Sequence, residues 1–315
     1  METALLFPGQ GSQRVGMGRD LAQAFPAARR VYDEADDVLG FPLSRLCFDG
    51  PEDELTLTQY AQPAILTTSI AVFSALFPHA PEGAGARPGF RVAAGHSLGE
   101  WSALVATGAL GFRDAVRLTH LRGRYMQEAV PAGQGAMAAV IGLDRAVLQA
   151  VCERASQPGE PVEQANLNGA GQIVISGATA AVDRAIAEAK AAGAKRATKL
   201  AVSAPFHCSL MKPAAERLAA ALADVAIRPP VVPVVNNATA QPTQDPDRIR
   251  ALLIEQVTAP VRWEESIQAI AAMGVTRALE LGSGAVLKGL VKRIAATIET
   301  TSIGEPHEVQ AFQAA

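Results

Sequence analysis

A chain of 315 residues, 49% hydrophobic and 19% charged, can bury a large core in one big domain or in a big domain carrying an insertion. Its formal net charge of -3 leaves no basic footprint for nucleic acid, so nucleic acid is set aside as a partner. No stretch supplies the roughly 18 uninterrupted apolar residues of a membrane-spanning helix, and three cysteines without C-x-x-C spacing argue against a disulfide framework or a zinc site.

The N-terminus, METALLFPGQG, has an acidic second residue and only a short apolar run before Pro8, unlike a signal peptide, so export is not expected, and the three unspaced cysteines fit a reducing cytoplasm. ALLF (4–7) reads as a buried strand. The next stretch, FPGQGSQRVGMG (7–18), fails as a dinucleotide fingerprint, because Arg14 stands where the third glycine after Gly9 and Gly11 belongs. It also lacks the Gly-Lys-Ser/Thr ending of a phosphate loop. What remains is a glycine-supported loop whose backbone N–H groups are free to donate. Pro63 is placed at the first turn of a helix, and HAPEGAGARPG (79–89), containing His79, reads as a surface loop.

RVAA (91–94) is the next strand and runs into VAAGHSLGEW (92–101), where Ser97 lies between Gly95 and Gly99. A strand that reverses sharply into a helix brings its flanking residues too close for Cβ atoms, and glycine two before and two after the turning residue relieves the clash. Leu98, Trp101, Leu104 and Val105 then recur at helical spacing, so G-x-S-x-G sits in the strand-turn-helix context of a nucleophile elbow. An acyl-transfer site needs two N–H donors for its developing oxyanion. Leu98, just after the serine, offers one, and Gln10 in the first loop offers the other.

A helix over 113–129 gathers Arg113, Arg117, His120, Arg124 and Glu128 on one wet face, while Arg122 falls amid Leu118, Leu121, Tyr125, Met126 and Ala129. A buried guanidinium needs an anion. Either a ligand carboxylate or one of the chain's own acids would serve.

From Gly135 to Leu200 the order of elements is β-α-β-β-α-β, with a hairpin at Asn168-Gly169-Ala170-Gly171. This is a ferredoxin-like small subdomain, residues 131–200, bounded by the Pro131–Gly133 turn and the region near Ser203. Residues 1–130 and 201–315 then form the large subdomain, an α/β unit with a mainly parallel sheet. Its further strands are VVPVV (231–235), RALEL (277–281) and ETTSI (299–303). Pro213 marks a helix start, Gly108 and Gly274 mark helix ends, and the last ten residues read as a loose tail.

A serine hydroxyl needs a base. Of five histidines, His79 and His307 read as solvent-exposed, His120 as polar-face, and His96 as packing or support within the elbow. His207, in SAPFHCSLMKPA, lies on the loop that returns the chain to the main sheet, where either catalysis or packing accounts for it. Asp144 reads as a helix N-cap and Asp183 lies in an alanine-rich helix, so a Ser–His pair oriented by a neutral group fits better than a carboxylate triad.

FPGQGSQ, GHSLGE, RGRYMQEAVPAGQGAMAAV, ANLNGAGQIVISG, SAPFHCSLM and QVTAPVRW together resemble the malonyl-CoA:acyl carrier protein transacylases of fatty acid synthesis, in order and over most of the chain. The resemblance implies an α/β-hydrolase-like large subdomain with a ferredoxin-like small one. It implies that Ser97 is malonylated, that His207 is the general base, and that Gln10 and Leu98 form the oxyanion hole. Arg122 would bind the malonyl carboxylate bidentately, and the main-chain carbonyl of Gln256 would orient the histidine. Gln62 and Asn166 match positions lining the cleft. Phe206 matches a malonyl-preferring pattern of related polyketide acyltransferases.

The implied chemistry is ping-pong, between coenzyme A and the phosphopantetheine thiol of an acyl carrier protein, with no metal or redox cofactor and a monomeric enzyme. A trans-acting acyltransferase of polyketide synthesis shares this chemistry. An editing serine thioesterase shares the elbow and base but has no use for a cation on an apolar arc, and a non-catalytic binding module would be expected to lack Ser97 or His207.

Overall fold

Strand β1 (Thr3–Phe7) is buried at every position and pairs on both edges with parallel neighbours, as an apolar run in the middle of an α/β sheet must. The computed structural model describes residues 2–78, 89–202 and 204–314. The predicted surface loop with His79, apart from Gly89, and the boundary residue Ser203 lie outside them. In chain order the further strands are β2 (Phe90–Gly95), β3 (Gly135–Ile141), β4 (Val162–Leu167), β5 (Gln172–Ala178) and β6 (Arg196–Lys199), then β7 (Val234–Val235), β8 (Pro242–Thr243), β9 (Arg277–Leu281) and β10 (Glu299–Ile303).

The larger sheet has the order β10-β9-β1-β2-β7-β8, parallel throughout except for the β7–β8 pair. Its two faces carry separate cores. Leu5, Phe7 and Ala93 belong to one, while Ala4, Leu6, Val92 and Ala94 belong to the other with Trp263 and Ile267. The chain leaves β1 for one side of the sheet and reaches β9 and β10 on the other, so the strand order reverses beside β1. Ligands of open α/β sheets bind at the carboxyl ends of strands at such a point. Phe7 pairs with Gly95 and Ala94 with Val235, which sets the loops after β1, β2 and β7 side by side there.

The second sheet is antiparallel with the order β4-β5-β3-β6, the ferredoxin-like arrangement of a β-α-β-β-α-β chain. Ala136, Ala138 and Val140 face a core shared with helices Arg145–Ala155 and Thr179–Ala191, whereas Met137 and Val174 turn to the large core. The β4–β5 hairpin turns through Gly169, Ala170 and Gly171 at φ 84°, 51° and 69°.

Four expectations need correction. The strand over 231–235 shrinks to Val234–Val235, because Pro233 has no N–H for a ladder and the Val231 N–H donates to the Thr107 carbonyl instead. Pro63 lies inside the helix Thr58–Leu76 rather than in its first turn. The Gln59 carbonyl that Pro63 cannot serve accepts from His120 Nδ1 at 2.8 Å, so His120 is half-buried against Phe41 and Tyr60 and not on a wet face. Finally, the supposed tail is a helix, Pro306–Ala314. The Glu308 carboxylate accepts the N–H groups of Gly304 and Glu305 at its start, Val309 is fully buried, and Phe312 packs on the large core.

Candidate active site

The elbow is enforced by contact. A Cβ on Gly95 would lie 1.9 Å from the Gly99 carbonyl carbon, and one on Gly99 would lie 2.0 Å from the Phe7 carbonyl oxygen, so neither position accepts a side chain. Gly9 is as tight, with its notional Cβ 2.3 Å from the His96 carbonyl oxygen, which draws the loop after β1 onto the elbow. Ser97 takes up the resulting turn at φ 50°, ψ -103°, a strained conformation for a residue with a Cβ.

Ser97 Oγ lies 2.7 Å from His207 Nε2. His207 sits at φ 60° on the loop after β6 and is 3% exposed, and its Nδ1 donates to the main-chain carbonyls of Gln256 (2.9 Å) and Ala259 (3.2 Å). These acceptors fix the proton on Nδ1 and leave the Nε2 lone pair toward the serine. No carboxylate among the described residues bonds the imidazole. Burial, reinforced by the positive charge of Arg122, pulls the His207 pKa down to about 3, so the imidazole is neutral at physiological pH.

Arg122 projects into the same place from helix Phe112–Glu128 and is 2% exposed. Its Nη1 donates to Gln62 Oε1 at 2.6 Å, and its Nη2 donates to Gln256 Oε1 at 3.0 Å and to Ser97 Oγ at 3.2 Å. Nε is buried without a partner among the described residues. Burial lowers the guanidinium pKa to about 10, which leaves it charged at neutral pH. Gln62 thus holds the cation, and Gln256 serves both the imidazole and the guanidinium.

The backbone N–H groups of Gln10 and Leu98 make no hydrogen bond among the described residues, and Gln10 itself is exposed with its side-chain amide donating to Thr58 Oγ1. Asn166 and Phe206 are buried, but the structure gives neither side chain a hydrogen bond or ring contact with the site. Asn166 forms a backbone bridge to Val261, just beyond Gln256, and Phe206 packs in the large core next to His207. His96 supports the elbow from behind, its Nε2 2.8 Å from Asn168 Oδ1 in the β4–β5 hairpin and its ring against Trp263.

Two site residues were not singled out from the sequence. Asn237, after β7, accepts the Ser97 N–H at Oδ1 (2.6 Å) and donates through Nδ2 to the Gly95 carbonyl (2.8 Å). Glu100, in helix Leu98–Ala106, accepts from the Asn237 N–H and from Gln256 Nε2. A carboxylate in an otherwise apolar helix was the available signal for Glu100. Asn237 offered none.

A strained serine bonded to a buried neutral imidazole, at the carboxyl ends of a mainly parallel sheet, is the arrangement of enzymes that carry acyl groups as serine esters. The chain belongs to the acyl transferase family, whose domain model matches residues 4–305. It is 50% identical over 307 residues to a malonyl CoA-acyl carrier protein transacylase of Bacillus subtilis, covering 98% of this chain and 95% of that one. The Escherichia coli K12 protein of the same name is 47% identical over 308 residues, with 98% and 97% covered.

Among solved structures, an acyl-carrier-protein S-malonyltransferase of Bartonella henselae superimposes with a TM-score of 0.94 at 46% identity, covering 100% of this chain and 99% of that one. A malonyl-transacylase solved in complex with a type II polyketide synthase acyl-carrier protein gives 0.93 at 46% identity, with 100% and 99% covered.

Proposed function

We propose that this chain transfers a malonyl group from malonyl-CoA to the phosphopantetheine thiol of an acyl carrier protein, through a malonyl ester of Ser97, and so supplies fatty acid synthesis. The observation that carries the reading is a single point of convergence. Ser97 Oγ lies 2.7 Å from the base nitrogen of His207 and 3.2 Å from the buried guanidinium of Arg122.

In the first half-reaction Ser97 Oγ attacks the thioester carbonyl while its proton passes to His207 Nε2. The developing oxyanion is held by the unused N–H groups of Leu98 and Gln10. Collapse breaks the carbon–sulfur bond, and coenzyme A departs as a thiol with the proton from His207. In the second half the carrier thiol gives its proton to His207, attacks the ester, and Ser97 Oγ recovers the proton as it leaves. Coenzyme A and the carrier thiol are substrates, and these steps balance without a metal or redox group.

Arg122 supplies the selectivity. The malonyl carboxylate lies one methylene beyond the acyl carbon, and the guanidinium beside Ser97 Oγ is within that reach. Its present acceptors are a hydroxyl and two carboxamides, so an incoming carboxylate is its first full counter-charge at hydrogen-bond distance. We place the enzyme in the cytoplasm, a reading that rests on its three free, buried cysteines and its acyl-CoA chemistry. No helix among the described residues is long and apolar enough to cross a membrane.

The test is intact-mass analysis of the protein mixed with a panel of acyl-CoAs, followed by addition of holo carrier proteins from fatty acid and polyketide systems. The proposal expects one malonyl adduct, stable until a carrier is added and then passed to the carrier thiol. Discharge to water without a carrier would mark a thioesterase, and discharge only to the polyketide carrier would assign the enzyme to that pathway.

A further inference from the structure

Glu100 is 2% exposed in a helix whose other members are apolar or small. One of its oxygens, Oε2, accepts the Asn237 N–H at 2.9 Å and Gln256 Nε2 at 2.7 Å. Each donor leads to a different part of the site. The Asn237 carboxamide spans the elbow, bonded to the Ser97 N–H on one side and the Gly95 carbonyl on the other, so it pins the strained serine. Gln256 reaches His207 through its main-chain carbonyl and Arg122 through Oε1, and its Nε2 also donates to the Ser97 carbonyl at 3.1 Å. Nucleophile, base and cation come from segments more than twenty residues apart in sequence. The Glu100 oxygen is where their supports meet.

Resting on the acyl-transfer reading above, we propose that Glu100 is a positioning residue: the location of its Oε2 sets the register of Ser97, His207 and Arg122, and with it both the acylation rate and the preference for a carboxylate-bearing acyl group. The place of the oxygen matters here, not its charge. The Gln256 amide stands between Glu100 and Arg122, so the two charges attract only across it and form no direct ion pair, and this attraction is the smallest of the influences on Glu100. Burial pushes Glu100 up to about 7, so its neutral acid is populated at neutral pH and can serve the same two donors with its carbonyl oxygen.

Two conservative variants of the full chain separate position from charge. Formation of acyl-serine from malonyl-CoA and from acetyl-CoA is followed by rapid-quench mass spectrometry, with thermal melts and the wild type alongside. In Glu100→Gln the carboxamide oxygen can accept both bonds, and the rate is expected within about tenfold of wild type with an unchanged malonyl-to-acetyl ratio. Glu100→Asp keeps the charge but draws the oxygen back by one methylene, and malonyl transfer is expected to slow about 100-fold. Its malonyl-to-acetyl ratio should fall about tenfold, because Arg122 is displaced along with the serine.

Wild-type behaviour of Glu100→Asp would overturn the proposal, as would a Glu100→Gln enzyme as slow as Glu100→Asp. A Glu100→Asp variant with a lower melting point and an unchanged malonyl-to-acetyl ratio would show a role in folding alone and would overturn it too. If the wild type formed no malonyl-serine, the acyl-transfer reading itself would fail, an outcome distinct from any pattern among the variants.

Discussion

Arg122 Nη2 donates to Ser97 Oγ across 3.2 Å, which sets a buried positive charge directly against the proposed nucleophile. A cation in that place repels a second proton on the site and helps keep His207 neutral. Its acceptors among the described residues are all neutral.

Arg122→Ala should therefore divide substrates by charge. Loss of a bidentate pair of charge-assisted hydrogen bonds, each about 1.5–3 kcal/mol, predicts a fall in kcat/KM for malonyl-CoA of roughly 100-fold or more. Acetyl-CoA should lose about tenfold or less. The same single-turnover assay with both thioesters checks this, and equal losses would reject the carboxylate role.

Gln62 fixes the other guanidinium nitrogen, at 2.6 Å. Gln62→Leu removes that acceptor while keeping most of the volume, so Arg122 loses its alignment and not its charge. Steady-state kinetics should give a KM for malonyl-CoA raised about tenfold with a smaller change in kcat. A kcat defect alone would place Gln62 elsewhere in the mechanism.

The buried imidazole predicts two pH dependences. With its pKa lowered from 6.5 to about 3, His207 keeps its base form through mild acid, so kcat/KM should show no acid limb near 6.5 from this group. Stability behaves differently. Between those two values the unfolded chain binds a proton at this histidine and the folded chain does not, so stability falls on acidification. The slope for one such group is at most about 1.4 kcal/mol per pH unit. Urea unfolding of His207→Gln across this range should give a shallower slope than wild type, and an equal slope would contradict the depressed value.

Gly99→Ala tests the elbow by sterics alone, since the added Cβ would meet the Phe7 carbonyl at 2.0 Å and the Pro8 carbonyl at 2.9 Å. Both are backbone atoms and neither can swing away. Unfolding measurements should find a loss of about 3 kcal/mol or more, or no folded protein. A variant of wild-type stability would mean that the turn is far looser than described.

Much of this site was legible in the sequence, because its strongest parts break local rules. Gly95, Ser97 and Gly99 announce a turn that only glycine permits, and Arg122 interrupts an apolar arc. Glu100, a lone acid in LGEWSALVA, breaks the same rule as Arg122 and is legible in the same way. Asn237 escaped because asparagine after a strand is ordinary turn chemistry, and its role exists only once β7 pairs with β2.

The same limit explains the misread elements. Nothing local tells that the carbonyl orphaned by Pro63 has a partner in His120 on another helix, or that Val309 and Phe312 find a core to cover. Tertiary contact decides both.

Acyl transfer by this chain is expected to pass through the hydroxyl at position 97. Labelled malonyl-CoA, acid quench and peptide mapping of wild type and Ser97→Ala test it directly. Label is expected on the Ser97 peptide of the wild type and nowhere on Ser97→Ala, whereas label kept by Ser97→Ala at the wild-type level would rule out a route through this serine.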